Sequence, residues 1–154
     1  MTEKKQIEGV KTLPLKIIED ERGAVLHMLR CDHPVFSGFG EVYFSEVKAN
    51  VIKGWKLHKE MTQRFSVPVG RVKFVVYDNR ETSKTFGCFS EYELGRPDDY
   101  QLLIVPAGVW YGFKGLGHDV SLIANCADRP HSLDECEHKD LKDKEICYQW
   151  NIDE

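Results

Sequence analysis

An all-β sandwich or barrel is the fold class that this 154-residue chain predicts. Short runs of β-branched and aromatic residues recur along its length, and clusters of Gly, Pro and Asp separate them at short intervals. No apolar face keeps helical spacing for more than about three turns, which leaves little scope for helix. With no internal repeat, low-complexity tract or linker, one domain over residues 1–154 is expected.

The elements follow in order. Strands are expected at 14–19 (PLKIIE) and 23–29 (GAVLHML), divided by the turn Asp20-Glu21-Arg22-Gly23. Residues 30–38 admit a short helical turn. Strand patterns resume at 40–49 (GEVYFSEVKA), 64–69 and 71–78 (RVKFVVYD), the last two separated by Pro68-Val69-Gly70. Further strands at 88–94 (CFSEYEL) and 100–105 (YQLLIV) flank Gly95-Arg96-Pro97-Asp98. Those at 109–113 and 119–125 (DVSLIAN) are set off by Pro106-Ala107-Gly108 and Gly115-Leu116-Gly117. The stretch HSLDECEHKDLKDKEICYQW (131–150) is heavily charged up to its last residues. It reads as an irregular surface segment whose final aromatics pack back onto the barrel.

The formal net charge of −4 excludes a general affinity for nucleic acid or an anionic membrane, so any basic site is local. No apolar run approaches the ~18 residues that span a bilayer. The opening MTEKKQIEGVKTLPLK has no apolar secretory core. Five cysteines, an odd number with no CxxC pair, argue against a disulfide framework and a zinc site, and suit a reducing cytoplasm.

One stretch concentrates chemistry. GWKLHKEMTQRF (54–65) surrounds His58 with Lys56, Lys59, Glu60, Gln63 and Arg64. It is either a solvated hairpin tip or the wall of a site that binds an anion and moves a proton. Lys56 and His58 are two apart, so a strand here turns both to one side. The remaining histidines, His27, His33, His118, His131 and His138, lack ligand spacing.

Four stretches together carry a resemblance. They are EDERGAVLH (19–27), FVVYDNRETSKTFG (74–87), LLIVPAGVWYGF (102–113) and KDKEICYQW (142–150). In this order and spacing the chain resembles the dTDP-4-dehydrorhamnose 3,5-epimerase family, cupin jelly-roll (double-stranded β-helix) barrels acting on sugar nucleotides. Its hairpin departs from that pattern. Residues 51–58, VIKGWKLH, look instead like the Arg-Gly-x-His-x-His-Lys…Gln hairpin of the sugar-nucleotide 3,4-ketoisomerases, with Lys53, Lys56, His58, Lys59 and Gln63 at the corresponding positions. The epimerases' catalytic tyrosine falls within Ile123-Ala124-Asn125, their enolate-stabilising lysine on Gln63, and a pocket histidine on Tyr111. The aspartate that orients their catalytic histidine is expected to lie beyond the end of this chain.

The resemblance implies removal of a proton from a carbon next to a ketone. Such a step needs a base of near-neutral pKa, and a donor for the developing oxyanion. The expected catalytic set is His58 as base, Tyr111 (or Tyr43) as the acid that returns the proton, and Lys56 beside the enolate. Expected substrate contacts are Arg22 on the diphosphate, whose planar fork suits phosphate, together with Tyr43, Lys53, Gln63 and Trp110. In the family that arginine reaches into a neighbouring subunit, so a homodimer is implied. Metal-binding cupins use His-x-His, a Glu and a later His. Here Lys56 and Tyr111 occupy the first and last positions, so neither a metal nor another cofactor is expected. Three readings follow: an epimerase of a nucleotide-diphosphate-linked 4-keto-6-deoxy sugar at C3 and/or C5, a 3,4-ketoisomerase of the same substrate class, and a non-catalytic sugar or sugar-nucleotide binding cupin. Assembly of a surface polysaccharide is the setting the resemblance suggests.

Overall fold

A computed structural model describes residues 5–150. The chain begins with β1 (Lys11–Pro14) and a hairpin of β2 (Ile17–Asp20) and β3 (Gly23–Leu26). It continues through β4 (Glu41–Val47), β5 (Ile52–His58), β6 (Gln63–Val69), β7 (Arg71–Asp78) and β8 (Phe89–Gly95). Then come β9 (Gln101–Val105), β10 (Val109–Leu116), β11 (Ser121–Ala127), a single 3-10 turn (Leu133–Glu135) and β12 (Cys136–His138). Two five-stranded antiparallel sheets result, a first in the order β1-β9-β6-β11-β4 and a second in the order β12-β5-β10-β7-β8. They stack as the expected jelly roll. Among the described residues no helix is long and apolar enough to cross a membrane.

The core lies between the sheets. Phe65 of the first sheet meets Phe74 and Tyr111 of the second at ring-centroid distances of 4.9 and 5.2 Å, amid Val67, Val72, Val76, Leu103 and Ile123. The second sheet is covered on its outer face too. There Trp55, Val75, Tyr77, Trp110 and Ile146 form another buried cluster, joined by Tyr148 and Trp150. This is why β7 reads as a continuous apolar run rather than an alternating one: both its faces are out of water. The tail aromatics do pack back, with Trp150 and Tyr148 lying 5.6 and 6.2 Å from Trp55.

Three expectations are corrected. Residues 30–38 form two tight turns (His33 N to Arg30 O, Phe36 N to His33 O) instead of a helical turn, because Pro34 removes an N–H and biases His33 away from helix. Residues 52–58 are a full strand, not a hairpin tip. Their glycine serves close approach, since a Cβ on Gly54 would meet Gly112 Cα at 3.0 Å. Finally, the charged stretch after 131 is not wholly irregular. β12 pairs with β5, setting Cys136 opposite His58 and His138 opposite Lys56.

Candidate active site

Two strands of the second sheet and the turn that leads into a third converge at the C-terminal end of β5. β5 delivers His58, β10 delivers Tyr111, and the 3-10 turn before β12 delivers Glu135. His58 is 3% exposed and its ring is bonded at both nitrogens. Nδ1 lies 2.8 Å from Glu135 Oε2, and Nε2 lies 3.2 Å from the Tyr111 hydroxyl. The other Glu135 oxygen accepts the backbone N–H groups of Glu60 (3.0 Å) and Met61 (2.7 Å). A carboxylate with that many donors stays ionised, so Nδ1 carries the imidazole hydrogen and Nε2 presents its lone pair.

The electrostatics agree. Burial lowers the His58 pKa from the ordinary 6.5, and the charge of Lys56 lowers it further; the bond and charge of Glu135 oppose this without reversing it. Burial raises the Glu135 pKa, but the bonds from His58, Glu60 and Met61 outweigh it and the net shift is downward. Burial holds the Tyr111 phenol well above its ordinary value. At neutral pH the three are a carboxylate, a neutral imidazole and a neutral phenol.

The first sheet supplies the facing wall. Asn125 of β11 is buried, and its Oδ1 accepts the backbone N–H of Arg64 at 3.0 Å. That fixes the amide's orientation. Nδ2 therefore donates to the Tyr43 hydroxyl at 2.8 Å and to Gln63 Oε1. Gln63 is buried as well, and its Nε2 has no hydrogen-bond partner among the described residues.

Of the expected site residues, the fold brings His58, Tyr111, Lys56, Tyr43 and Gln63 to this end of the barrel. Lys56 is half-buried opposite Tyr111 in the β5–β10 register. Three others lie apart. Trp110 is buried in the outer cluster with Lys139 Nζ 5.4 Å from its ring, because neighbours in a strand point to opposite faces and Tyr111 takes the inner one. Lys53 is exposed and donates to the Glu46 carbonyl at 2.6 Å. A register shift in the β5–β10 pairing between Lys56 and Lys53 breaks the alternation here, and the Lys53 ammonium is taken up by β4 of the first sheet. Arg22, at the tip of the β2–β3 hairpin, is exposed and bonds Asp20 at 2.6 Å. Two site residues escaped sequence reasoning. Glu135 sits among many surface charges 77 positions from His58, and Asn125 lies among the apolar residues 122–127 of β11. A cleft of about 400 Å³ opens beside Glu135; with Lys59 and Arg129 against Glu60, Asp134 and Glu135, it offers no net positive field. Among the described residues no group of three or more His, Cys, Asp or Glu is placed to hold a metal ion.

A family model for dTDP-4-dehydrorhamnose 3,5-epimerase matches residues 4–154. The chain belongs to this family. It is accordingly an isomerase of the dTDP-sugar 3,5-epimerase class. The spore coat polysaccharide biosynthesis protein SpsL of Bacillus subtilis (strain 168) is 31% identical over 149 residues, covering 96% of this chain and 98% of that protein. A crystal structure of a dTDP sugar isomerase from Desulfovibrio desulfuricans G20 matches with a TM-score of 0.92 and 49% identity, over 94% of this chain and 92% of the other. The dTDP-4-dehydrorhamnose 3,5-epimerase of Bacillus anthracis str. Ames, solved with TDP and PPi bound, shares the fold at a TM-score of 0.80 and 24% identity, covering 94% of this chain and 89% of that one.

Proposed function

We propose that this enzyme epimerises a nucleotide-diphosphate-linked 4-keto-6-deoxy sugar at C3 and/or C5 through an enolate, with His58 as the base. One observation carries the reading: the Glu135–His58–Tyr111 chain, buried between the sheets, directs a neutral Nε2 lone pair inward. His58 Nε2 takes the proton from the carbon beside the ketone. Glu135 holds the ring in the required tautomer and stabilises the imidazolium that forms, as a buried carboxylate does in other acid–base sites. A positioned base of this kind is worth about 10²–10⁴ in rate.

Negative charge then gathers on the ketone oxygen. Lys56 supplies a cation on the same wall, and the unpartnered Gln63 Nε2 supplies a donor from the other. The Tyr111 hydroxyl, bonded to Nε2 in the free enzyme, moves to a substrate oxygen when the sugar enters. The cleft beside Glu135 is unsuited to a diphosphate, and Arg22 is far from its own subunit's histidine. This favours a homodimer in which the projecting hairpin brings Arg22 to the neighbour's diphosphate.

Incubating the enzyme with dTDP-4-keto-6-deoxyglucose in D₂O, with NMR of the product, tests the reading. Deuterium at C3, or at C3 and C5, is expected in a product of inverted configuration. Unlabelled, unchanged substrate refutes it.

A further inference from the structure

Resting on that reading, we propose that Tyr43 is the acid that returns the proton, reaching the enolate from the wall opposite His58 so that the carbon inverts.

Epimerisation sets a geometric requirement. The enolate is flat, so a group that removes a proton from one face and a group that replaces it on the other must stand on opposite sides. His58 and Tyr111 do not meet it as a pair. They extend from adjacent strands of one sheet, their functional atoms are bonded at 3.2 Å, and their rings lie within 10° of parallel. Both act on one face.

Tyr43 comes from the other sheet. On β4 it is half-buried between exposed Val42 and Phe44, so alternation turns it toward the interior. It stands opposite Asn125 in the β4–β11 register. Burial, and after it the charge of Tyr43, raise the Tyr111 pKa, so the two phenols lie within electrostatic reach of each other.

The hydrogen bonding is arranged for donation. Asn125 cannot turn its amide, because Oδ1 holds the Arg64 N–H, so Nδ2 donates to the Tyr43 oxygen. That oxygen is an acceptor in this bond. Its own hydrogen has no acceptor among the described residues and is free to go to carbon. When it leaves, the same Asn125 N–H stabilises the phenolate.

The step balances. The C–H bond breaks, its electron pair enters the enolate, and His58 Nε2 gains the proton. The Tyr43 O–H bond then breaks, a new C–H bond forms on the opposite face, and the ketone is restored. Proton exchange with solvent resets the imidazolium and the phenolate.

Tyr43→Phe and Tyr111→Phe, assayed in D₂O with the same sugar nucleotide, separate the roles. For Tyr43→Phe, deuterium uptake with retained configuration is expected to continue, while formation of the epimer falls by about 10²-fold or more. Tyr111→Phe is expected to slow the reaction but still invert the carbon. The proposal is overturned if Tyr43→Phe epimerises at the wild-type rate, or loses uptake and inversion in equal measure. It is also overturned if Tyr111→Phe is the variant that exchanges without inverting. Wild-type enzyme that takes up no deuterium, or yields only a 3,4-shifted ketone, would instead remove the epimerase reading on which the proposal rests.

Discussion

At the scale of single residues, the proposed mechanism draws on Glu135 as much as on His58. A buried imidazole flanked by Lys56 is driven toward its neutral form, and the carboxylate restores part of its basicity. Replacing Glu135 with Gln therefore has two effects. On the proposed mechanism the rate is expected to fall by about 10²-fold or more with little change in KM, since the tautomer and the imidazolium lose their support. With His58 as the proposed base, whose pKa burial lowers from the ordinary 6.5, the acid limb of kcat/KM is expected to move to lower pH once the opposing Glu135 charge is gone. A residue that merely held the fold would reduce the rate and leave that limb in place. His58 was legible from sequence because basic and amide side chains gather locally around it. Glu135 was not, because its partner is distant and its neighbours Asp134, Glu137 and His138 give it the look of a solvated segment. The alternation that separates Trp110 from Tyr111 was present in the sequence, since adjacent strand residues cannot share a face.

At the scale of elements, strand patterns were clearest where both faces are apolar, as in β7, β9 and β10. β5 was obscured by Lys53, Gly54 and Lys56, and β12 is only the three residues Cys-Glu-His. The loop between β7 and β8 shows how such elements are pinned. Asp78, fully buried, accepts Arg80 Nε at 2.8 Å, Ser83 Oγ at 2.6 Å and Thr85 Oγ1 at 2.6 Å. Burial alone would raise the Asp78 pKa, but these bonds drive it far below its ordinary 3.8. The carboxylate thus binds protons less readily folded than unfolded, so its contribution is present above 3.8 and lost as pH falls from there through the folded value. Asp78→Ala is expected to cost about 2–3 kcal/mol at pH 7 in urea denaturation, with the difference from wild type narrowing in acid. The β6–β7 turn makes a second test. Gly70 has φ +84°, and a Cβ there would meet Ser121 Oγ at 2.2 Å, so Gly70→Ala is expected to lower the melting temperature measurably.

At the scale of the whole molecule, the β2–β3 hairpin is the least supported part of the fold. Ile18 and Val25 are 48% and 59% exposed, and Phe44 on edge strand β4 is 64% exposed. Apolar side chains on a projecting hairpin and on an open edge are what a second copy would cover. Light scattering after gel filtration is expected to give twice the chain mass, and Arg22→Ala to raise KM for the sugar nucleotide about tenfold or more with kcat nearly unchanged. Monomers at micromolar concentration, or an unaltered KM, would count against that assembly.

The decisive comparison is the rate of deuterium uptake at the sugar carbons, followed by NMR, for wild-type enzyme and His58→Asn side by side. Uptake by wild type that disappears in a folded His58→Asn variant is the expected result. Uptake that survives the loss of the imidazole would show that another group removes the proton.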